Sequence, residues 1–392
     1  MVAADHLPAR MSGTRTDLLV LVLKTTGLTV LTLGLYSFWA RTRIRRWLWS
    51  SLQIDGLPFE YAGRPLEKLM GFVIAAVIVA VYLGLVVMLL IFASLNLTGE
   101  ATLGTVVAFG LLLPVFWFSV YRGQRYLLNH TRWRGIAFSM VPGAGGYAVR
   151  AVLWSLGAVL TAGLLIPLRT HRLWKYRAER TLYGDVPFAF DTPAGALYPL
   201  FAPVLACAYV SAIFIGMAQY GFSYAPVGLV LTLPALGVFW IRWRVKSFGI
   251  LASGLRLGDE VVIRMNLSTW RVIGIHLLGW ILTGMLMLAA FVGLLFAFGF
   301  FAAGATVNFD LELLSEASPY LIAAVLVLFF LTFFVLRGAL KIAMVSFPLF
   351  RHGAATMVVG NPTEISRVQH GEKAHMADAD GFANLFDMGS GI

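Results

Sequence analysis

The sequence predicts an all-α polytopic membrane protein: six to eight transmembrane or re-entrant helices, short β-strands in cytoplasmic basic segments, and an internal duplication. Three observations predict it. First, 59% of the 392 residues are hydrophobic and only 12% are charged, whereas a soluble domain carries about 25% charged residues. Second, several apolar runs reach the roughly 20 residues that a spanning helix needs. Third, one stretch is written twice. At an offset of 129, Thr32, Gly34 and Leu35 meet Thr161, Gly163 and Leu164, Arg43 and Arg46 meet Arg172 and Lys175, and Pro58 and Phe59 meet Pro187 and Phe188. Repeats at a fixed period reveal architecture ahead of local propensity.

In chain order, residues 1–17 are a polar N-terminal segment and 18–146 a first membrane unit. Residues 147–268 are a second unit, 269–350 the C-terminal membrane helices, and 351–392 a cytoplasmic acidic tail. Clear spans are expected at 69–94, 101–121, 197–218, 224–241, 270–303 and 319–346. Pro114, Pro203 and Pro234 lie inside spans, where neighbouring helices satisfy the carbonyls that a proline frees. Two shorter segments, 18–40 and 147–168, are the apolar halves of the repeat. The first apolar run has no small-residue cleavage site after it and is read as mature structure, not as a signal peptide.

Charge then tests topology. Net charge is +11, and the basic residues fall into segments 41–68, 122–150, 169–196 and 242–264. Segment 95–100 has only Glu100, 219–223 is uncharged, and 304–318 carries Asp310, Glu312 and Glu316. The positive-inside rule puts the four basic segments in the cytoplasm. Segment 147–168 then begins and ends on the same side. It is either re-entrant, broken near Gly157 or Gly163, or it spans with one basic loop outside; charge favours re-entrance. Lys24-Thr-Thr-Gly27 is the parallel break in 18–40.

Each basic segment also contains a strand-like piece after a turn signal: Leu57–Tyr61 after Asp55-Gly56, then Trp133–Phe138, Gly184–Phe188 and Leu257–Val262. Alternation and turn chemistry read as short strands. They are expected to pair into a small β-structure under the membrane, since a lone hairpin is marginal.

Thr32-Leu-Gly-Leu-Tyr-Ser-Phe-Trp-Ala-Arg41, Asn129-His-Thr-Arg-Trp-Arg-Gly-Ile136, Leu164-Leu-Ile-Pro167 and Leu255-Arg-Leu-Gly-Asp259 together resemble the YjgN family of bacterial inner-membrane proteins. The tail Phe382-Ala-Asn-Leu-Phe-Asp387, ending in Gly391-Ile392, is similar to that family's acidic tail. The resemblance covers about 18–285 and the last twenty or so residues. It implies a multi-pass protein of the bacterial inner membrane with a cytoplasmic C-terminus, and it supplies no activity. The family's repeated glycine-basic cassette near the end is replaced in 286–350 by a long apolar run and an acidic loop.

Chemistry is sparse. The seven histidines (His6, His130, His171, His276, His352, His370, His375) show no metal-ligand spacing. The one cysteine, Cys207, excludes a disulfide framework and reads as a small core residue. Gly143-Ala-Gly-Gly146 is a turn without the rest of a phosphate loop. The apolar segments hold no interior Asp or Glu, which argues against a carboxylate proton relay. Ionisable groups at membrane depth are Lys24, Arg150, His276, Arg337 and Lys341; snorkelling, or a hydrogen bond for His276, accounts for them without function. The sharper reading is a cationic lining for an anionic headgroup or solute, with Arg41, Arg43, Arg46, Arg172, Lys175, Arg337 and Lys341 as contacts. Arg337 and Lys341 share a helix face at i, i+4. The tryptophans near membrane ends form an aromatic belt or cation–π pockets.

No catalytic, cofactor or metal site is expected, and no nucleic-acid partner; membrane lipids with anionic headgroups are the expected partners. Three classes remain: a transporter or channel-like protein for a small or anionic solute, ranked first because internal repeats with broken helices occur in transporters; a non-catalytic envelope protein binding anionic lipid or a partner through its basic face; and an intramembrane enzyme, the least supported.

Overall fold

The computed structural model describes residues 6–258, 261–302, 319–360, 365 and 368. Its organising element is a closed barrel of ten antiparallel strands. The expectation of an all-α fold is therefore corrected. The strands are β1 (His6–Met11), β2 (Leu52–Ile54), β3 (Leu57–Tyr61), β4 (Thr131–Trp133), β5 (Ile136–Met140), β6 (Thr181–Tyr183), β7 (Val186–Phe190), β8 (Leu255–Leu257), β9 (Val261–Met265) and β10 (Met357–Gly360). Each pairs with its neighbours in chain order, and β10 closes on β1 through Leu7 opposite Val359.

Local chemistry makes the hairpins. Asp55 and Gly56 have φ of 54° and 72°, and Arg134 and Gly135 have φ of 53° and 76°. Two successive positive-φ residues are what a type I′ turn requires. Each longer strand is shared between two neighbours. In β5, Ile136 and Ala137 pair with β4, whereas Phe138, Ser139 and Met140 pair with β6. This stagger tilts the strands and lets such short pieces close.

Helices connect the other strand pairs. Between β1 and β2 run α1 (Arg15–Leu31) and α2 (Ser37–Ser51). Between β3 and β4 run α3 (Pro65–Val81), α4 (Met88–Thr98) and α5 (Thr102–Asn129); a π-helical turn at Tyr82–Val87 joins α3 to α4. Between β5 and β6 run α6 (Ala144–Leu160) and α7 (Ile166–Ala178). Helices α8 (Tyr198–Gln219) and α9 (Ala225–Ser253) link β7 to β8. Finally α10 (Thr269–Ala302), α11 (Pro319–Lys341) and α12 (Phe347–Thr356) lie between β9 and β10. Every excursion leaves the ring on one strand and returns on the strand paired with it.

Among the described residues six helical stretches are long and apolar enough to cross a membrane: Pro65–Thr98, Thr102–Asn129, Ala194–Gln219, Ala225–Ser253, Thr269–Gly293 and Phe329–Thr356. Each overlaps one of the six expected spans, the last shifted by about ten residues from the expected 319–346. The segments 18–40 and 147–168 are instead parts of the shorter hairpins α1–α2 and α6–α7. Their tips turn through matched geometry at the offset of 129. Leu33 and Gly34 have φ of 49° and 94°, and Ala162 and Gly163 have 48° and 94°. Gly34 N–H donates to Thr29 O, and Gly163 N–H to Ala158 O, both at 2.7 Å. The tips expose Leu31, Leu33, Val159 and Leu160, which suits lipid.

The expected strand pieces lie within the tight hairpins of the ring. Residues 6–11 of the polar N-terminal segment form β1, and 357–360 form β10. The acidic-tail residues Asp378, Asp380 and Asp387 lie outside the described residues, as does the acidic loop 304–318.

The barrel is filled. Phe59 stacks on Trp133 at 5.9 Å between ring centroids, Phe138 meets Tyr183 at 4.7 Å, and Trp133 meets Tyr183 at 5.8 Å. Ala9, Ile54, Val261, Val359 and Ile365 complete this core. The Tyr183 hydroxyl donates to Trp133 O at 2.9 Å, and burial pushes its pKa up to about 12. Its folded pKa is raised, so the stabilisation is present below the unfolded value of about 10 and is lost as pH rises toward 12. Stability of the purified protein is expected to fall across that window, and Tyr183→Phe to flatten the fall. A pH series of denaturant melts on both proteins checks this.

A cation–aromatic cluster as candidate site

The hairpin α6–α7 packs against α5, and their contact is built from tyrosine and arginine. Tyr121, Tyr147 and Tyr176 are buried with Met140, Ala151 and Leu173. Tyr121 and Tyr147 ring centroids are 5.4 Å apart, and Tyr147 and Tyr176 5.9 Å. Hydroxyls are satisfied by turn carbonyls: Tyr176 donates to Gly143 O at 2.9 Å and Tyr121 to Val141 O at 2.6 Å. The glycines of Gly143-Ala-Gly-Gly146 have a packing reason. A Cβ at Gly146 would sit 2.7 Å from the Tyr176 hydroxyl.

Four arginines line these rings. The Arg180 and Arg150 guanidiniums lie 3.6 Å and 4.8 Å from the Tyr176 centroid. Arg169 lies 4.8 Å from Trp117. Arg177 lies 5.5 Å from Trp174 and donates to Gln124 Oε1 at 2.8 Å. The hydrogen bonds of Arg150, Arg177 and Arg180 go to backbone carbonyls and Gln124, the buried Arg169 Nε has no hydrogen-bond partner among the described residues, and among those residues none of the four meets a carboxylate. Arg150 and Arg180 share one ring, so their charges lie at most about 8 Å apart and repel by about 0.5–2 kcal/mol at effective dielectrics of 80 to 20.

The hairpin α1–α2 provides a control for what the fold itself needs. At the offset of 129, Leu18, Leu21, Trp47 and Leu48 occupy the places of Tyr147, Arg150, Tyr176 and Arg177. They pack with Val22, Ile44 and the α11–α12 residues Ala339 and Phe347. The same backbone is thus satisfied by an apolar core without guanidiniums. Guanidiniums in the second hairpin are not demanded by packing.

The structure separates the seven cationic residues singled out from the sequence into three places. On α2, Arg41 is half-buried, Arg43 lies 5.7 Å from the Tyr36 ring, and Arg46 donates to Gly63 O at 3.1 Å, fastening α2 to the start of α3. On α7, Arg172 is exposed and Lys175 is 3.5 Å from Glu179. On α11, Arg337 lies 5.4 Å from the Trp280 ring, and Lys341 is half-buried one turn further on. Only Arg172 and Lys175 share an element with the cluster. Sequence reasoning missed Arg169, Arg177 and Arg180 as a group; the available signal was the alternation of aromatic and basic residues along 169–180. His276 bonds Val272 O within its helix at 2.9 Å, as expected for an intramembrane histidine.

A second polar contact joins β3, α3 and α5. Lys68 is 2% exposed, with Nζ 5.0 Å from the Tyr61 ring and 5.8 Å from the Tyr126 ring. Beside it Glu67 accepts from the Tyr126 hydroxyl at 3.3 Å and stands 3.5 Å from His130 Nε2. No group of three or more His, Cys, Asp or Glu suited to a metal occurs among the described residues.

Residues 6–307 match the family described as bacterial protein of unknown function (DUF898). No curated protein and no solved structure matches the chain.

Tyr176→Phe removes one buried hydrogen bond and is expected to cost about 1 kcal/mol. Tyr176→Leu also removes the ring beneath Arg150 and Arg180 and is expected to cost about 1–3 kcal/mol more. Denaturation midpoints of the two variants in detergent measure the difference.

Proposed function

The chain belongs to the DUF898 family of bacterial proteins of unknown function, and from that premise we propose that it is a non-catalytic, multi-pass inner-membrane protein that binds anionic phospholipid headgroups. The barrel and the C-terminus lie on the cytoplasmic side in this reading. Arg150, Arg169 and Arg180, with exposed Arg172 beside them, form the headgroup site. The observation that carries the proposal is the pair of guanidiniums, Arg150 and Arg180, on the one Tyr176 ring without a carboxylate among the described residues. A phosphate bridging them converts repulsion into charge-assisted hydrogen bonds. Cytoplasmic leaflets supply such anions, and basic segments beside membrane helices are drawn to them.

The matched turns at Leu33–Gly34 and Ala162–Gly163 support an internal duplication of the unit made of a short hairpin and a spanning pair. Transport of a small anionic solute is the second reading, and the broken hairpins favour it. A barrel filled by Phe59, Trp133, Phe138 and Tyr183 weighs against passage through the ring. The basic segments adjoin the barrel, which supports a cytoplasmic ring by the positive-inside rule.

The full chain in nanodiscs is expected to retain phosphatidylglycerol over phosphatidylcholine, and Arg150→Gln with Arg180→Gln to lower that preference at least tenfold. Equal retention of the two lipids by the unmodified protein overturns the proposal, while solute flux in proteoliposomes moves the reading to transport. Orientation is checked in intact cells with an impermeant thiol reagent: Asn96→Cys should label and Leu57→Cys should not.

A further inference from the structure

A cavity of 240 Å³ opens where the last turns of α5 and α7 meet strands β5 to β9. Its polar wall is Gln124, Arg177 and Thr181, and its apolar wall includes Phe138, Phe188 and Ile263. None of its lining residues is acidic. Four of the five helical excursions or their flanking strands contribute to it.

Arg177 is the one charge on the lining. Its NH1 donates to Gln124 Oε1 at 2.8 Å and its Nε to Leu173 O at 3.4 Å. The remaining guanidinium N–H groups have no protein partner among the described residues. The Thr181 hydroxyl donates to the Arg177 carbonyl at 2.9 Å, and the ring of Trp174 flanks the guanidinium at 5.5 Å. A half-buried cation facing an apolar cavity, without a counter-charge, is a costly arrangement. The bland explanation is that Arg177 covers apolar surface with its stem. The equivalent place in α2 argues against it, because Leu48 fills that role there and is buried in an uncharged apolar cluster.

We propose that this cavity binds a small amphipathic monoanion: an apolar body against Phe138, Phe188 and Ile263, and a carboxylate-sized head on Arg177, which Gln124 holds in place. A single guanidinium fits a planar carboxylate in a two-pronged bond. The volume falls just below the roughly 300–1,000 Å³ of sites for drug-sized ligands, which selects a short chain or one ring. This site is separate from the headgroup cluster, since neither Arg150, Arg169 nor Arg180 lines it.

The test is equilibrium binding of octanoate, octanol, palmitate and inorganic phosphate to the full chain in nanodiscs, corrected for uptake by empty nanodiscs. Octanoate is expected to bind at least tenfold tighter than octanol, and phosphate alone not to bind. Arg177→Leu, which copies the residue of the α1–α2 hairpin, should keep the thermal midpoint and lose that tenfold discrimination. Ile263→Trp, which fills the cavity, should weaken octanoate and octanol alike. Octanoate binding tighter than palmitate is expected from the volume and identifies a small free acid; palmitate binding tighter overturns that size limit and identifies the source as an acid from the membrane. Octanoate no tighter than octanol, or unaffected by Arg177→Leu in a protein of unchanged midpoint, overturns the proposal. Loss of phosphatidylglycerol preference in Arg150→Gln with Arg180→Gln leaves this result untouched, so the two sites fail independently.

Discussion

Closure of the ring between β1 and β10 is the constraint on which the rest depends. A row of strands three to six residues long has too few hydrogen bonds to stand as an open sheet. Closing it removes both edges and gives every strand a partner on each side. The registers His6 opposite Gly360 and Leu7 opposite Val359 make that closure, so two ends of the described chain separated by some 350 residues in sequence meet. Once it is made, each helical excursion must start and finish on adjoining strands. An even number of long helices per excursion follows, and the two short excursions turn back on themselves as the hairpins α1–α2 and α6–α7.

The two short hairpins show how one backbone carries two kinds of interior. Their tips share dihedrals and hydrogen bonds. Helices α1 and α6 have the same length, 17 residues. Yet α1–α2 meets α11 and α12 through apolar side chains alone, while α6–α7 meets α5 through tyrosines that arginines cover. Aliphatic packing gains stability by burial alone. Guanidiniums over aromatic rings recover their desolvation only in part, and specific placement is the return. The cationic groups of α6–α7 serve two directions: Arg150 and Arg180 share the Tyr176 ring, and Arg177 lines the cavity under the ring's rim. The lumen itself holds stacked aromatics and gives the ring a rigid floor.

Much of this was legible in the residues. Apolar length alone located the six long apolar helices found among the described residues, and the charge pattern favoured a break within 147–168, where the hairpin α6–α7 turns. Asp55-Gly56 and Gly184-Asp185 marked two of the tight turns. Closure was not legible, for a physical reason. Strands such as Leu52–Ile54 and Thr131–Trp133 are too short to show alternation, and they run on directly from helices. Strand β1 lies in a segment read as polar, and β10 in one read as a tail. Pairing over such sequence distances leaves no local signature. The site was half legible. Arg172 and Lys175 mark the right helix, but the choice of Arg43 and Arg46 followed the repeat, and the repeat preserves backbone rather than side-chain chemistry. Lys68 ends the basic segment 41–68 with nothing in the sequence to set it apart, whereas folding encloses it between two tyrosines contributed by β3 and α5.

Cross-linking across the closure tests the account most directly. With Cys207→Ser as background, Leu7→Cys and Val359→Cys place two thiols opposite each other in the last strand pair to close. Ala9→Cys with Ile54→Cys does the same for the neighbouring pair β1–β2. Mild oxidation of membranes is predicted to form an intramolecular disulfide in both double variants, read as a mobility shift that a reductant reverses. A disulfide in the second pair but not in the first would contradict a closed ring and leave an open sheet in its place.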